Sequence, residues 1–456
     1  MRNAFRFASH VNGIALLGAL LGLTALNWPF VVVHPNRVMP GGEAYSAFAL
    51  HGGWGEWIAG GWLALAIAAV LPRWRGKSLA IALTSAIAAV GCVAAATWGS
   101  TALVAENEFA RMSISGGAWL AVVAMYVAFF SVYHESPRLL VLPLAVLGCI
   151  AWFAPYGHWG VVREYAVAVD TFHQELVRHG LLVAATLPLV VLIGLPLGVF
   201  AVRKPRVEGA ILGIAGFLQT VPSIALFGLL LPLLSGYGRY LSVAAITLIA
   251  LISVIAASGG WLLLKRVDWF WADVVYGLSM VAAAVILLPA LGLTLYQLMA
   301  GGTDWLDQIR WSATLDTLGV RGLGATPAIV ALTLYGIWPL IVNTHTGLKS
   351  VPAEIVEAAQ GMGMSARQIF WQVEMLIAAP FFIQGIRGAL LLLIGLASIA
   401  VLVNAGGLGY FLMRGTEQAV SDLVLLGSLP VVLLALAADA LTRLLARGLV
   451  PKGLRP

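Results

Sequence analysis

The residues able to do chemistry in this chain are few and stand apart. His134 and Glu135 lie in a short interval between apolar runs without a zinc-ligand spacing, and His173 and His179 flank the start of an apolar run with no partner acid at a useful helical distance, so all three histidines read as surface residues. Gly76, Lys77 and Ser78 mimic the tail of a phosphate-binding loop, but Leu71 stands where its first glycine is required, and Lys77 reads as a topology charge. The run NAGGLG at 404–409 is glycine-rich yet follows an apolar helix rather than a strand, which is a poor dinucleotide site. Asp439 is the one acid deep in an apolar run, and Arg443 four residues on can pair with it on one helix face. Cys92 and Cys149 each sit inside an apolar run and imply neither a disulfide nor a metal site. No catalytic centre, metal site or cofactor site emerges. Two polar interruptions of apolar sequence remain: Gln219, Thr220, Pro222 and Ser223 inside one run, and the segment Asn343 to Pro380 between two others.

The second interruption reads VPAEIVEAAQGMGMSARQIFWQVEMLIAAP. Ile355, Val356, Ala359 and Met362 recur at helical spacing, which predicts a short amphipathic helix bearing Glu354 and Glu357, ended by Gly361 and Gly363. Ser365 followed by Gln368 is a capping-box pattern, so a second helix starts there and carries Ile369, Phe370 and Val373 onward. In the first interruption Pro222 cannot donate a backbone hydrogen bond, and it frees the carbonyl of Leu218. Such breaks persist where they line a cavity or face protein. The segment therefore reads either as a wall or gate of a translocation pathway or as a packing kink satisfied by neighbouring helices.

The elements that must position these residues are membrane helices. With 61% hydrophobic and 10% charged residues and a mean hydropathy of +0.95, the composition is far from that of a soluble domain, while a span needs only roughly 20 apolar residues. The 16 Trp suit interfacial belts. The net charge of +6 is scattered in twos and threes and forms no nucleic-acid stripe. The expected fold is all-α, with about twelve spans near 11–33, 55–72, 79–104, 116–133, 139–156, 179–202, 209–235, 241–264, 273–300, 324–344, 381–403 and 423–446. Arg2 and Arg6 precede the first, which is longer than a signal-peptide core and reads as an uncleaved span. With both termini inside, 18 of the 26 Lys and Arg fall on the inner side, which puts the 343–380 segment in the cytoplasm.

That segment resembles the EAA loop of type I ABC importer permeases, with Glu357, Ala358 and Ala359, then Gly363, then Val373. The strings LPLVVLIGLPLGVF from Leu187, LQTVPSIALFGLLLPLL from Leu218, PAIVALTLYGIWPLIVNTHTGLKSV from Pro327 and IRGALLLLIGLASIAVLVNAGGLGYF from Ile386 resemble permeases for osmoprotectants of the glycine betaine and choline type. PNRV at Pro35, SISGGAWLA at Ser113 and REYAVAVDTF at Arg163 resemble the longer betaine permeases with extra N-terminal spans. The resemblance implies an accessory domain over 1–170 and a permease core over 171–456, with an inserted helical hairpin at about 236–320.

It further implies a coupling helix in which Ala358 and Ala359 permit close backbone approach, Gly363 permits the turn, and Glu357 accepts hydrogen bonds from a cytoplasmic ABC ATPase dimer. The other implied partners are an external or periplasmic substrate-binding protein and a second permease copy or a shorter paralogous permease, in the lipid of the inner membrane. The family's Leu-Pro after the Val-Glu step is replaced by Met375 and Leu376, which predicts a helix running on unbroken to Pro380 and beyond. The alternatives are a stand-alone secondary transporter or channel, which predicts inverted repeats and embedded charges, or a non-transporting scaffold on the permease fold.

Overall fold

The computed structural model describes residues 11–37, 41–72, 74–104, 107, 109–264, 286–301 and 310–449. The chain divides into two compact units, Met1–Ala168 and Val169–Pro456.

In the first unit, helices α1 (Gly13–Ala25), α2 (Trp54–Val70), α3 (Lys77–Ala94), α4 (Gly116–Glu135), α5 (Val141–Phe153) and α6 (Gly160–Val167) accompany a three-stranded antiparallel sheet. Its order is β2 (Glu43–Ser46), β1 (Pro29–His34), β3 (Arg111–Ile114). The span expected over 11–33 is thereby corrected. Asn12 caps α1, its side chain accepting the Ala15 N–H at 2.9 Å, but the helix stops at Ala25. Pro29 follows and pairs with Ser46, and the β-branched run Val31–Val33 pairs with Tyr45–Glu43 on one side and Ile114–Met112 on the other. Apolar content alone did not distinguish helix from strand, whereas proline and β-branching do. Small residues let the helices touch: a Cβ on Gly18 would meet the Ala128 backbone at 3.1 Å, and one on Gly22 would strike the Trp62 ring. Lys77 is buried, and its ammonium donates to the carbonyls of Ala69 (3.0 Å) and Leu71 (2.7 Å) past the end of α2, so it is a helix cap as well as a charge. Glu164 of α6, also buried, is held by Arg37 at 3.0 Å and by Arg111.

The second unit opens with α7 (Val169–Arg203), followed by α8 (Pro205–Thr220), α9 (Ser223–Tyr240), α10 (Val243–Leu264), the apolar helix α11 (Ile286–Met299) and α12 (Ala325–Lys349). After α12 come α13 (Ala353–Gly361), α14 (Ala366–Ile369), α15 (Met375–Ala397), α16 (Gly409–Glu417) and α17 (Ser421–Leu449). Its core lies where α7, α12 and α15 meet, around Leu189, Val190, Leu332, Leu340 and Leu393. A Cβ on Gly198 of α7 would clash with Thr344, and one on Gly336 of α12 with Val190, so α7 and α12 approach each other closely through glycine on both sides.

Among the described residues six helices are long and apolar enough to cross a membrane, or up to seven if the bent pair α8–α9 counts as one. The polytopic all-α class holds, and the count of twelve is not reproduced among the described residues: Gly13–Ala25, Trp54–Val70 and Pro137–Phe153 are apolar but shorter, while the span expected over 273–300 falls partly outside those residues. The single span expected over 209–235 is two helices at 102°. Part of the hairpin expected at 236–320 falls on 265–285 and 302–309, outside the described residues.

Candidate functional site

The segment between α12 and α15 folds as a short helix, a tight turn and a second helix. Pro352, extended, precedes α13. The turn is a Schellman arrangement: Met364 N–H donates to the Ala359 carbonyl at 3.2 Å and Gly363 N–H to that of Gln360 at 2.9 Å, with Gly363 left-handed at φ +80°. Ser365 then caps α14 in a full capping box, its own N–H donating to Gln368 Oε1 at 2.8 Å. Helix continues through a π-helical turn at Phe370–Glu374 into α15 and past Pro380, in keeping with the absence of a proline at Met375–Leu376. Within α13, Ala359 is buried, 2% exposed, whereas Glu354, Glu357 and Ala358 face outward. The apolar stripe expected from spacing divides: Ile355 (42% exposed) and Met362 (75%) are on the outer side, and Met362 caps the helix instead of belonging to it. The loop thus presents Glu357, Ala358, Ile355 and Met362, with Trp371 exposed on the following turn. A short elbow that exposes a carboxylate together with several large apolar side chains suits a protein partner better than water.

Both arms of the loop are anchored at its root. Leu348 of α12 and Ala378 and Phe382 of α15 form a small buried cluster with Val199, Val202, Phe370 and Met375 around it. On the outgoing arm Arg203, the last residue of α7, pairs with Glu374 and lies 5.3 Å over the Phe370 ring. On the incoming arm Glu208, in the first turn of α8, accepts from His345 Nε2 at 2.9 Å and from Lys349 Nζ at 2.6 Å. Sequence reasoning treated Arg203 and Lys349 as topology charges and passed over Glu208. An acid one turn into a helix and set among cations is the signal that could have found it.

The polar break lies at the bend between α8 and α9. Val221 is extended and Pro222 precedes α9. Gln219 donates from Nε2 to the Tyr335 carbonyl at 2.7 Å, and Tyr335 donates its hydroxyl to the Val221 carbonyl, so α12 satisfies the opened backbone reciprocally. Thr220 Oγ1 donates to the Phe217 carbonyl at 2.7 Å; its side chain and Pro222 are exposed, while Gln219 and Ser223 are half-buried. Of the residues expected here, Gln219 holds the bend, and Tyr335 is the partner that spacing could not supply.

Other candidates resolve as structure. His179 is fully buried, not at the surface, with Nε2 3.1 Å from the Ile394 carbonyl. Glu175 beside it accepts the Gly407 N–H at 2.6 Å, so the glycine-rich run, with Gly406 and Gly407 at positive φ, folds over α7. Asp439 pairs with Arg443 at 2.8 Å as its spacing suggested, and also with Arg387 of α15.

Residues 251–451 match the family profile of the binding-protein-dependent transport system inner membrane component, and residues 11–161 match that of the N-terminal domain of the ABC transporter permease YehY. The osmoprotectant import permease protein OsmW of Salmonella typhimurium is 30% identical over 282 residues, 61% of this chain and 91% of OsmW. The glycine betaine/carnitine/choline transport system permease protein OpuCB of Bacillus subtilis is 29% identical over 212 residues, 45% of this chain and 96% of its own length. The ergothioneine transport permease/ergothioneine binding protein EgtU of Helicobacter pylori is 37% identical over 120 residues, 26% of this chain and 22% of EgtU. Extended over nine-tenths of OsmW and joined to both family profiles, this likeness means that the chain belongs to the inner membrane permease components of binding-protein-dependent ABC transport systems.

Proposed function

We propose that this chain is the transmembrane subunit of an ATP-driven importer that takes an osmoprotectant of the quaternary amine class, such as glycine betaine, choline or carnitine, into the cytoplasm. The observation that carries the proposal is the α13–α14 elbow, an exposed carboxylate and unshielded Ile355 and Met362 on a turn fixed by its own hydrogen bonds and anchored at both arms. The likeness to OsmW, an osmoprotectant import permease, and to OpuCB, a glycine betaine/carnitine/choline permease, supports the substrate class.

In this reading a cytoplasmic ATPase dimer receives the elbow of each of two permease chains, with Glu357 as acceptor and Ala358 leaving room for close approach. The second chain is a copy of this one or a shorter relative. ATP hydrolysis belongs to the partner, and an external binding protein delivers the ligand; the fused permease and binding protein EgtU supports that partnership. Inward transport follows because ATP and the loaded binding protein each favour a different state of the permease. The bend at Gln219, Thr220, Pro222 and Ser223 lines the pathway or its gate. Residues 1–170 form an accessory domain, the hairpin near 236–320 is an insertion, and both termini are cytoplasmic.

The test is co-purification from detergent extracts with a co-expressed ATPase subunit. The native chain is expected to retain the ATPase and Glu357→Lys to lose it. A chain that takes up radiolabelled glycine betaine into vesicles with no ATPase present would be a stand-alone transporter instead.

A further inference from the structure

Helix α8 is tied to α12 at two levels. At the foot Glu208 accepts from His345 and Lys349; at the far end Gln219 donates to the Tyr335 carbonyl and Tyr335 returns its hydroxyl to Val221. From residue 208 to 219 is a rise of about 16 Å along α8, and from 345 to 335 about 15 Å along α12. The two antiparallel stretches thus match in length, and each tie meets its partner without stretching. Near the upper tie a Cβ on Gly216 would already touch the Trp338 ring at 3.2 Å, so the helices pack closely there. The incoming arm of the elbow leaves α12 immediately beyond Lys349, and the bend begins beyond Thr220, one residue after Gln219.

We propose that Glu208 is a positioning residue that straps α8 to the foot of α12, so that displacement of the elbow reaches the bend at Val221–Pro222 as one rigid movement. It joins α8 to α12 through two cations, His345 and Lys349, and it sits where the loop's motion enters the helix. Without it the upper clasp through Tyr335 and the Gly216 contact persist, but the foot of α8 loses its charged link to α12 and lags when α12 moves. The Arg203–Glu374 pair fixes the outgoing arm to α7 instead, so it cannot substitute for this link. The strap rests on the importer reading above, because it needs a loop that a partner displaces.

The experiment uses the full chain co-expressed with an ATPase subunit, with Cys149→Ser to remove the exposed native thiol and Ile224→Cys, exposed just beyond the bend, as reporter. Labelling of the reporter by a membrane-impermeant maleimide is compared with and without ATP plus vanadate. With Glu208 present, labelling is expected to change on nucleotide trapping. In Glu208→Ala the ATPase stays bound, but that change falls about five-fold or more, the lower end of ordinary allosteric coupling. The swap Glu208→Lys with Lys349→Glu restores it, which loss of fold would not permit. If Glu208→Ala does not assemble, Glu208→Gln, which retains an acceptor but no charge, carries the same comparison. A native-sized change in an assembled Glu208→Ala or Glu208→Gln complex overturns the strap. Failure of the unsubstituted chain to retain an ATPase overturns the importer reading, and is recognised before any change at 208 is made.

Discussion

Gly361 and Gly363 look interchangeable in the string AAQGMGMS, and sequence alone assigns both to the helix end. The structure separates them. Gly361 is the last helical residue with open space around its α-carbon, whereas Gly363 is left-handed at φ +80° and donates to the Gln360 carbonyl. A side chain at 363 meets the left-handed penalty of about 1–2 kcal/mol, while alanine at 361 gains helix propensity. Gly363→Ala is therefore expected to loosen the elbow, and Gly361→Ala to leave it intact or tighten it. Tryptic cleavage after the exposed Arg367 measures this directly: faster in Gly363→Ala than in the native chain, unchanged or slower in Gly361→Ala. Equal rates in the two variants would mean that the Schellman hydrogen bonds do not set the shape of the loop. Ala358 and Ala359 divide in the same way, one outward and one buried, so only Ala358 is available to a partner while Ala359 holds the elbow's own packing.

Among the elements, the α8–α9 bend shows what a helix break requires in a membrane. Pro222 removes a donor and Val221 leaves a carbonyl open, and burying such a group unmet costs about 1–3 kcal/mol. Here Tyr335 meets it, so Tyr335→Phe is expected to lower the thermal unfolding midpoint in detergent by several degrees; an unchanged midpoint would show that water or lipid headgroups already satisfy Val221. The elbow was legible in the sequence down to its capping box because each signal, Ser365 with Gln368 and the glycine at 363, acts within a few residues. The bend was legible only as a polar and proline interruption. Its 102° angle and its reciprocal clasp depend on Tyr335, more than a hundred positions away, and no local period encodes that pairing. The same limit hid Glu208 and misassigned 11–33, where apolar content agreed with a span but Pro29 and Val31–Val33 prefer a strand once β3 is available to pair.

For the whole molecule, the decisive relation is which side of the membrane each polar piece occupies. Helix α15, 23 residues and therefore about 35 Å long, exceeds the roughly 30 Å hydrocarbon thickness, and it separates the α13–α14 elbow from α16. These two must face opposite compartments if α15 crosses, whatever the paths of the shorter apolar helices. In the proposed topology the elbow's side is the cytoplasm, where membrane proteins concentrate Lys and Arg. With Cys149→Ser as background and Cys92 buried, single cysteines at exposed Ala358 and Thr416 test the assignment in intact spheroplasts. A membrane-impermeant maleimide is expected to label Thr416→Cys at once and Ala358→Cys only after permeabilisation. Labelling of both before permeabilisation would mean that α15 does not cross, and the reverse order would place the elbow out of reach of any ATPase. Because the elbow, its two anchors and the strap to the bend all lie on α7, α8, α12, α15 and the chain between α12 and α15, that one measurement bears on the direction in which force can enter the permease.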